Sequence, residues 1–330
     1  MENFNYFTFF SIFEFLIQFI FLLISILLSI AYFTIFERKV LASIQGRKGP
    51  NFIGFFGILQ PIADGVKLFL KETIIPIRAN KILFIISPIM MFFLSLLGWI
   101  VIPFNLNVFI CNLDLSLIYI FSTTSLNVYG ILGAGWASNS RYSFLGALRA
   151  AAQVISYEII MGVSFLIIVV VAGNFNLTNI VLCQKDIWFF FLFFLFFVFF
   201  FIAILAETNR LPFDLPEAES ELVSGYNVEY SCFGFALFFL AEYSVILLFS
   251  HLIVILFLGG WLPLMNLYFI PSFFWFSLKI VFILFCFVWI RGTLPRYRYD
   301  QLMNLGWVIF VPITFSIFFL YCGFIILYFI

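Results

Sequence analysis

One histidine, His251, and five cysteines standing singly at 111, 183, 232, 286 and 322 are the only strong nitrogen and sulfur ligands in 330 residues. No C-x-x-C spacing occurs, which argues against an iron–sulfur cluster or structural zinc within the chain, and no metal-ligand set is expected. Charge is scarce too: 10% of residues are Asp, Glu, Lys or Arg, with 16 bases balancing 16 acids. No basic patch points to nucleic acid. The chain also lacks a nucleophile–base arrangement, a phosphate loop and a Gly-rich dinucleotide fingerprint, so it holds no complete active site of its own. No segment repeats another, so the inverted-repeat design of many transporters is not visible. The N-terminus, MENFNYF, has an acid and no positive region, which predicts neither a signal peptide nor an Arg-rich transit peptide.

What is present is apolar. The chain is 65% hydrophobic, with a mean hydropathy of +1.19, and has no polar shell to surround a core. Its apolar runs approach or exceed the ~20 residues that a helix needs to cross a bilayer, far more than the ~10 of a barrel strand. The pattern predicts an all-α polytopic membrane protein, one transmembrane domain over residues 1–330. About eight spans are expected, at 7–36, 82–103, 115–137, 153–172, 187–206, 231–259, 273–290 and 305–330. The 53 phenylalanines supply lipid-facing bulk, and because both Phe codons begin with TT they also fit an AT-rich organellar genome.

Loop charge sets the orientation. Loop 37–81 carries Arg38, Lys39, Arg47, Lys48, Lys67, Lys71, Arg78 and Lys81. Loops 137–152, 206–230 and 291–304 add Arg141 and Arg149, then Arg210, then Arg291, Arg296 and Arg298. Only Lys185 falls on the other side, so these four loops are predicted to face the matrix or cytoplasm. Within the first loop, QPIADGVKLFLKE has Pro61 at a helix start and Gln60, Asp64, Lys67 and Lys71 along one stripe. This predicts an amphipathic helix, either a surface anchor or part of a site.

Polar groups in costly places stand out. Glu158, Glu242 and Lys279 lie inside apolar runs, where each charge costs at least ~2.5–3.5 kcal/mol at a helix centre. Two readings follow: a structural ion pair such as Glu242 with Lys279, or a path for protons or ions. His251 is read as a satisfied core or interface histidine. The stretch AETNRLPFDLPEAESELVSGYNVEY (206–230) concentrates Glu207, Asp214, Glu217, Glu219, Glu221 and Glu229 against one base, Arg210. A solvated acidic loop would be ordinary. The interleaved Phe213, Tyr226 and Tyr230 favour a buried polar pocket instead.

ERKVLASIQGRKGPN (37–51), QPIADGVKLFLKE (60–72), GWASNSRYSFLGALRAAAQVISYE (135–158), the 206–230 stretch and RGTLPRYRYDQLM (291–303) together resemble subunit 1 of respiratory complex I, the proton-pumping NADH:ubiquinone oxidoreductase. The resemblance implies a subunit that forms the membrane end of the quinone tunnel and couples quinone reduction to proton translocation. It places Arg38, Asp64, Arg149, Phe213, Glu217, Glu219, Glu221, Tyr226 and Arg291 at the tunnel. It places Glu158, Glu207, Glu217, Glu219, Glu221, Glu229 and Glu242 on a proton path. Ubiquinone would be the substrate, with NADH, FMN and iron–sulfur clusters on partner subunits. Expected partners are the hydrophilic quinone-module subunits, the neighbouring membrane-arm subunits and the lipid bilayer. The Phe bias and the lack of an import signal point to the mitochondrial inner membrane, with a bacterial inner membrane as the alternative. Two other readings stay open: a stand-alone proton or cation transporter, and the related subunit of a membrane-bound hydrogenase.

Overall fold

Helix lengths set against the bilayer organise the molecule. The computed structural model describes residues 2–106, 108–215, 225–263 and 271–329, with side chains described between 16 and 327. Glu217, Glu219 and Glu221 lie outside the described residues. Helix α1 (Glu2–Ile44) has 43 residues, about 65 Å at 1.5 Å per residue, twice a ~30 Å hydrocarbon core. Arg38 and Lys39 therefore sit on a helix that continues past the expected end at 36. Next come the amphipathic α2 (Gln60–Leu70) and α3 (Lys81–Leu97), which tightens into a 3₁₀ turn over Gly98–Val101. They are followed by α4 (Ser116–Ala137), α5 (Arg141–Ala172) and the short α6 (Leu177–Cys183). Helix α5 starts 12 residues before the expected 153, because eight of the twelve residues of RYSFLGALRAAA are Ala, Leu or Arg, all good helix formers. It stops where Gly173 takes φ +67° and its N–H reaches the Val169 carbonyl at 2.8 Å.

The fifth expected span, 187–206, is two pieces: α7 (Phe189–Leu192) and α8 (Phe194–Glu207), broken where Phe193 leaves helical geometry. At 14 residues, α8 is about 21 Å long and too short to cross alone. Helices α9 (Cys232–Phe257) and α10 (Ser272–Thr293) follow. The last span starts early, as α11 (Tyr299–Asn304), a π turn over Leu305–Phe310 and α12 (Val311–Phe329). Seven helices among the described residues are long and apolar enough to span a membrane. There is no β-strand among them, only an isolated bridge between Asn105 and Val108. The protein is an all-α polytopic membrane protein.

Burial separates centre from rim. In α9 78% of the apolar stretch is buried and in α5 61%, against 6% in the last span. Helix α9 packs on α3, α10 and α1, and α5 packs on α4, α8 and α12. The polar loops meet at one end. There the Asn80 N–H donates to the Ala137 carbonyl (2.9 Å), Asn139 Nδ2 to the Arg78 carbonyl (3.2 Å) and the Tyr297 N–H to the Pro212 carbonyl (3.1 Å).

A glycine sets one approach at that end. A Cβ on Gly146 of α5 would lie 2.8 Å from Gly225 Cα and 3.0 Å from the Tyr226 nitrogen. The turn carrying Tyr226 rests directly on the helix backbone. Gly146→Ala should lower the stability of the assembled protein by about 1–3 kcal/mol through overpacking. Gly65→Ala, where a Cβ meets nothing within 4 Å, should not. Thermal melts of the two detergent-solubilised variants check this, and equal melting points would contradict it.

Candidate functional site

The charged end of α1 builds the first cluster. Glu37 is 4% exposed, yet three groups from distant parts of the chain converge on it. Arg210 Nη1 donates to Oε1 at 3.0 Å, Arg291 Nη1 donates to the same oxygen, and the Tyr243 hydroxyl donates to Oε2 at 2.5 Å. The Arg210 guanidinium also lies over the Tyr243 ring, 4.4 Å from its centroid. One carboxylate thus ties α1, the 206–230 stretch, α9 and α10 together. A buried charge is tolerated when it is paired and hydrogen-bonded in this way.

Outside it, Arg38 and Asp64 form a 2.7 Å ion pair, and Gln60 Nε2 donates to the other Asp64 oxygen at 2.9 Å. Both ion-pair partners are well exposed, so the pair adds at most ~1 kcal/mol to stability. Its effect is to fix the polar stripe of α2 against α1, while Ile62, Val66, Phe69 and Leu70 stay exposed.

The described part of the acidic stretch is largely buried. Phe213 lies between the rings of Tyr157 and Tyr297, each 5.7 Å away, and its carbonyl accepts from Gln153 Nε2 at 2.8 Å. Asp214 pairs with Arg296 at 3.2 Å. Burial pushes its carboxyl above the usual range, against the pull of Arg296, Arg291 and Arg210. Tyr230 stacks on Phe84 with centroids 4.0 Å apart and meets the Ser87 hydroxyl at 3.0 Å. Burial raises its phenol to about 12. Glu229 is half-buried. A buried pocket therefore describes the visible residues of this stretch better than a solvated loop does.

The membrane carboxylates follow. The Tyr226 hydroxyl, fully buried, donates to Glu242 Oε1 at 2.5 Å. Glu207, at the end of α8, and Glu242, on α9, line one cavity. Ser125 of α4 donates to Glu158 of α5, and Glu158 is within electrostatic reach of Glu207. Arg149 stands 5.8 Å from the centroid of the Tyr299 ring.

The ion pair between Glu242 and Lys279 is not formed. Lys279 Nζ donates instead to the carbonyls of Leu258 (2.6 Å), Gly260 (3.0 Å) and Leu262 (2.7 Å), and lies 4.2 Å from the Trp188 ring centroid. Leu258 is 16 residues beyond Glu242, about 24 Å along a helix, so the lysine serves the opposite end of α9. His251 Nδ1 meets the Leu247 carbonyl at 2.7 Å, with Trp99, Phe104 and Phe276 around its ring.

A sequence model described as NADH dehydrogenase matches residues 17–322 of the chain. The chain belongs to the NADH dehydrogenase family. It is 53% identical over 311 residues to NADH-ubiquinone oxidoreductase chain 1 of Chondrus crispus, covering 93% of this chain and 95% of that one. It is 56% identical over 296 residues to a subunit of the NADH-quinone oxidoreductase of Rickettsia prowazekii, covering 88% and 87%. The corresponding protein of Rhodospirillum rubrum is 55% identical over 288 residues, covering 86% of each. This NADH dehydrogenase family member is a multi-pass membrane subunit of an enzyme complex.

Asp214 is marked in the sequence only as one acid of the 206–230 stretch, and Glu37, Tyr243 and Arg296 do not stand out as site residues. For Glu37 the available signal is the acid–base pair at the end of the first span, Glu37 followed by Arg38.

Proposed function

We propose that the chain forms the membrane end of the quinone-binding tunnel of an NADH:ubiquinone oxidoreductase and couples quinone reduction to proton translocation. In this reading Arg38, Asp64, Arg149, Phe213, Glu217, Glu219, Glu221, Tyr226 and Arg291 line or abut the tunnel. Glu158, Glu207, Glu217, Glu219, Glu221, Glu229 and Glu242 carry protons away from it. The observation that carries the reading is the convergence of Glu37, Arg210, Arg291, Asp214 and Arg296 at one end of the bundle, with Glu207 and Glu242 deeper on adjoining helices. A quinone has an apolar tail and a ring that takes up two protons on reduction. It needs greasy walls, which exposed α2 residues such as Phe69 and Leu70 supply, and nearby charged groups that respond to the change.

The cavity beside Glu37, Arg210 and Arg291 measures only about 10 Å³. Small-molecule sites run to ~300–1,000 Å³. The quinone ring would accordingly lie over this end of the chain, in a chamber completed by a hydrophilic partner. NADH, FMN and iron–sulfur clusters belong to partners in this reading. The cysteines here stand apart, and no group of three His, Cys, Asp or Glu suited to a metal occurs among the described residues. The mitochondrial inner membrane is the proposed location. Relatives include both mitochondrial and bacterial forms, and the genome that encodes the chain decides between them.

Arg38→Ala tests the tunnel. It should raise KM for a long-tailed quinone several-fold in the assembled complex, while NADH oxidation by a soluble acceptor persists. An arginine that merely snorkels to the headgroups would change neither. Unchanged quinone kinetics in a fully assembled variant would contradict the reading.

A further inference from the structure

The cavity shared by Glu207 and Glu242 also has two amides on its wall, and among the described residues no protein group answers their oxygens. Asn127 sits midway along α4, and Asn209 follows α8 with φ +49°. Asn127, Asn209 and Glu207 are 8%, 8% and 9% exposed. Asn127 Oδ1, Asn209 Oδ1 and Glu207 Oε2 are buried without a hydrogen-bond partner among the described residues. All three residues line the same cavity as Glu242. The remaining polar side chain there, Thr208, spends its hydroxyl on the Ile204 carbonyl at 2.9 Å. Buried polar groups in proteins are satisfied almost without exception, by protein or by ordered water. A mid-membrane amide whose oxygen lacks a protein partner is a costly choice for α4 unless something polar stands before it.

The cavity measures about 30 Å³. A water needs roughly 10–15 Å³ of such volume and two to four polar partners, so there is room for about two. An amide offers donors at one end and an acceptor at the other, and serves a water whichever way it faces.

We propose that Asn127 and Asn209 are positioning residues that hold a short chain of water between Glu207 and Glu242, through which a proton passes from one carboxyl to the other. The inference rests on the proposed proton-carrying role of those two carboxylates and adds the residues that make the transfer continuous. In each passage the carboxylic acid of one glutamate gives its proton to the first water. A proton of the last water goes to the carboxylate of the other glutamate, and the waters return to neutrality. No electron moves and no other reactant is needed. The same ring of oxygens is chemically suited to a small monocation, so sodium is the rival occupant.

The test is Asn127→Leu in the assembled complex, an apolar side chain of similar size that closes the cavity to water. Quinone turnover coupled to proton uptake should fall at least about tenfold with KM for the quinone unchanged, since misplacing a reacting group by ~1 Å can lose 100-fold. The H₂O/D₂O rate ratio should rise as this transfer becomes limiting. Asn127→Ser, which keeps a donor and an acceptor and leaves room for water, should restore most of the loss. Wild-type turnover and isotope ratio in an assembled Asn127→Leu complex would overturn the proposal, as would a Ser variant as slow as the Leu variant. Replacing sodium salts by choline salts should leave the wild-type rate unchanged; a requirement for sodium would overturn water as the occupant. Glu207→Gln and Glu242→Gln, measured alongside, separate the failures. If they slow turnover and proton uptake together while Asn127→Leu does not, only the water chain is wrong. If all three keep wild-type turnover and proton uptake, the carboxylate path itself is wrong.

Discussion

Glu242→Gln in the assembled complex should slow quinone reduction and proton uptake together, each by at least about 100-fold, the lower end of what a positioned acid–base group contributes. The substitution keeps the side chain's shape and an oxygen for the Tyr226 hydroxyl, now 2.5 Å from Glu242 Oε1, and removes only the ability to gain and lose a proton. A coupled machine cannot complete its cycle with one transfer blocked, so the electron reaction stops with the pump. Because Lys279 is held by three carbonyls at the far end of α9, the variant leaves no lysine unpaired. Assembly should survive, which makes the activity readable. The check is NADH:quinone turnover and proton uptake in vesicles, with assembly followed on native gels. Full pumping by Glu242→Gln would remove this residue from the path.

Glu37→Ala should act on assembly rather than on a single step. Removing one partner from a buried ion pair typically costs ~3–5 kcal/mol, because the opposite charge is left desolvated. Here two guanidiniums, Arg210 and Arg291, and the Tyr243 hydroxyl all lose the same acceptor. That is enough to unfold the end of the bundle where the loops meet, given a typical total stability of ~5–15 kcal/mol. Asp64→Ala, which breaks the exposed pair with Arg38 and the hydrogen bond from Gln60, should alter stability by no more than ~1 kcal/mol. Melting curves and the yield of assembled complex compare the two. Equal yields would show that the Glu37 cluster does not hold the helix ends together.

The local and periodic features are legible in the sequence. Apolar length announces the spans, and Pro61 with the stripe of Gln60, Asp64 and Lys67 announces α2, which the structure forms over Gln60–Leu70. Helix ends are less legible, for a physical reason. Charged residues suggest that a helix has left the membrane, whereas α1 and α5 carry theirs past the apolar run without unwinding. The break at Phe193 lies within a run of phenylalanines, where nothing in the sequence distinguishes one position from the next. The contacts of Glu37 join residues 173 and 254 positions away, and only the packed bundle brings them together. The ion-pair reading for Glu242 and Lys279 fails because lying inside an apolar run does not say which helix end a side chain meets. Its true neighbours are the carbonyls just beyond α9, which no side-chain pattern marks. Asn127 is one more small polar residue among the Ser and Thr of α4 until the cavity gives it neighbours.

Light-induced cross-linking of a long-tailed quinone with a photoreactive ring, in the intact membrane complex, addresses the central claim directly. If this chain forms the membrane end of the tunnel, labelled peptides should map to its charged end, around 37–64, 206–230 or 291–298, and excess ubiquinone should prevent the labelling. Competable labelling confined to other subunits, with none on this chain, would contradict the account.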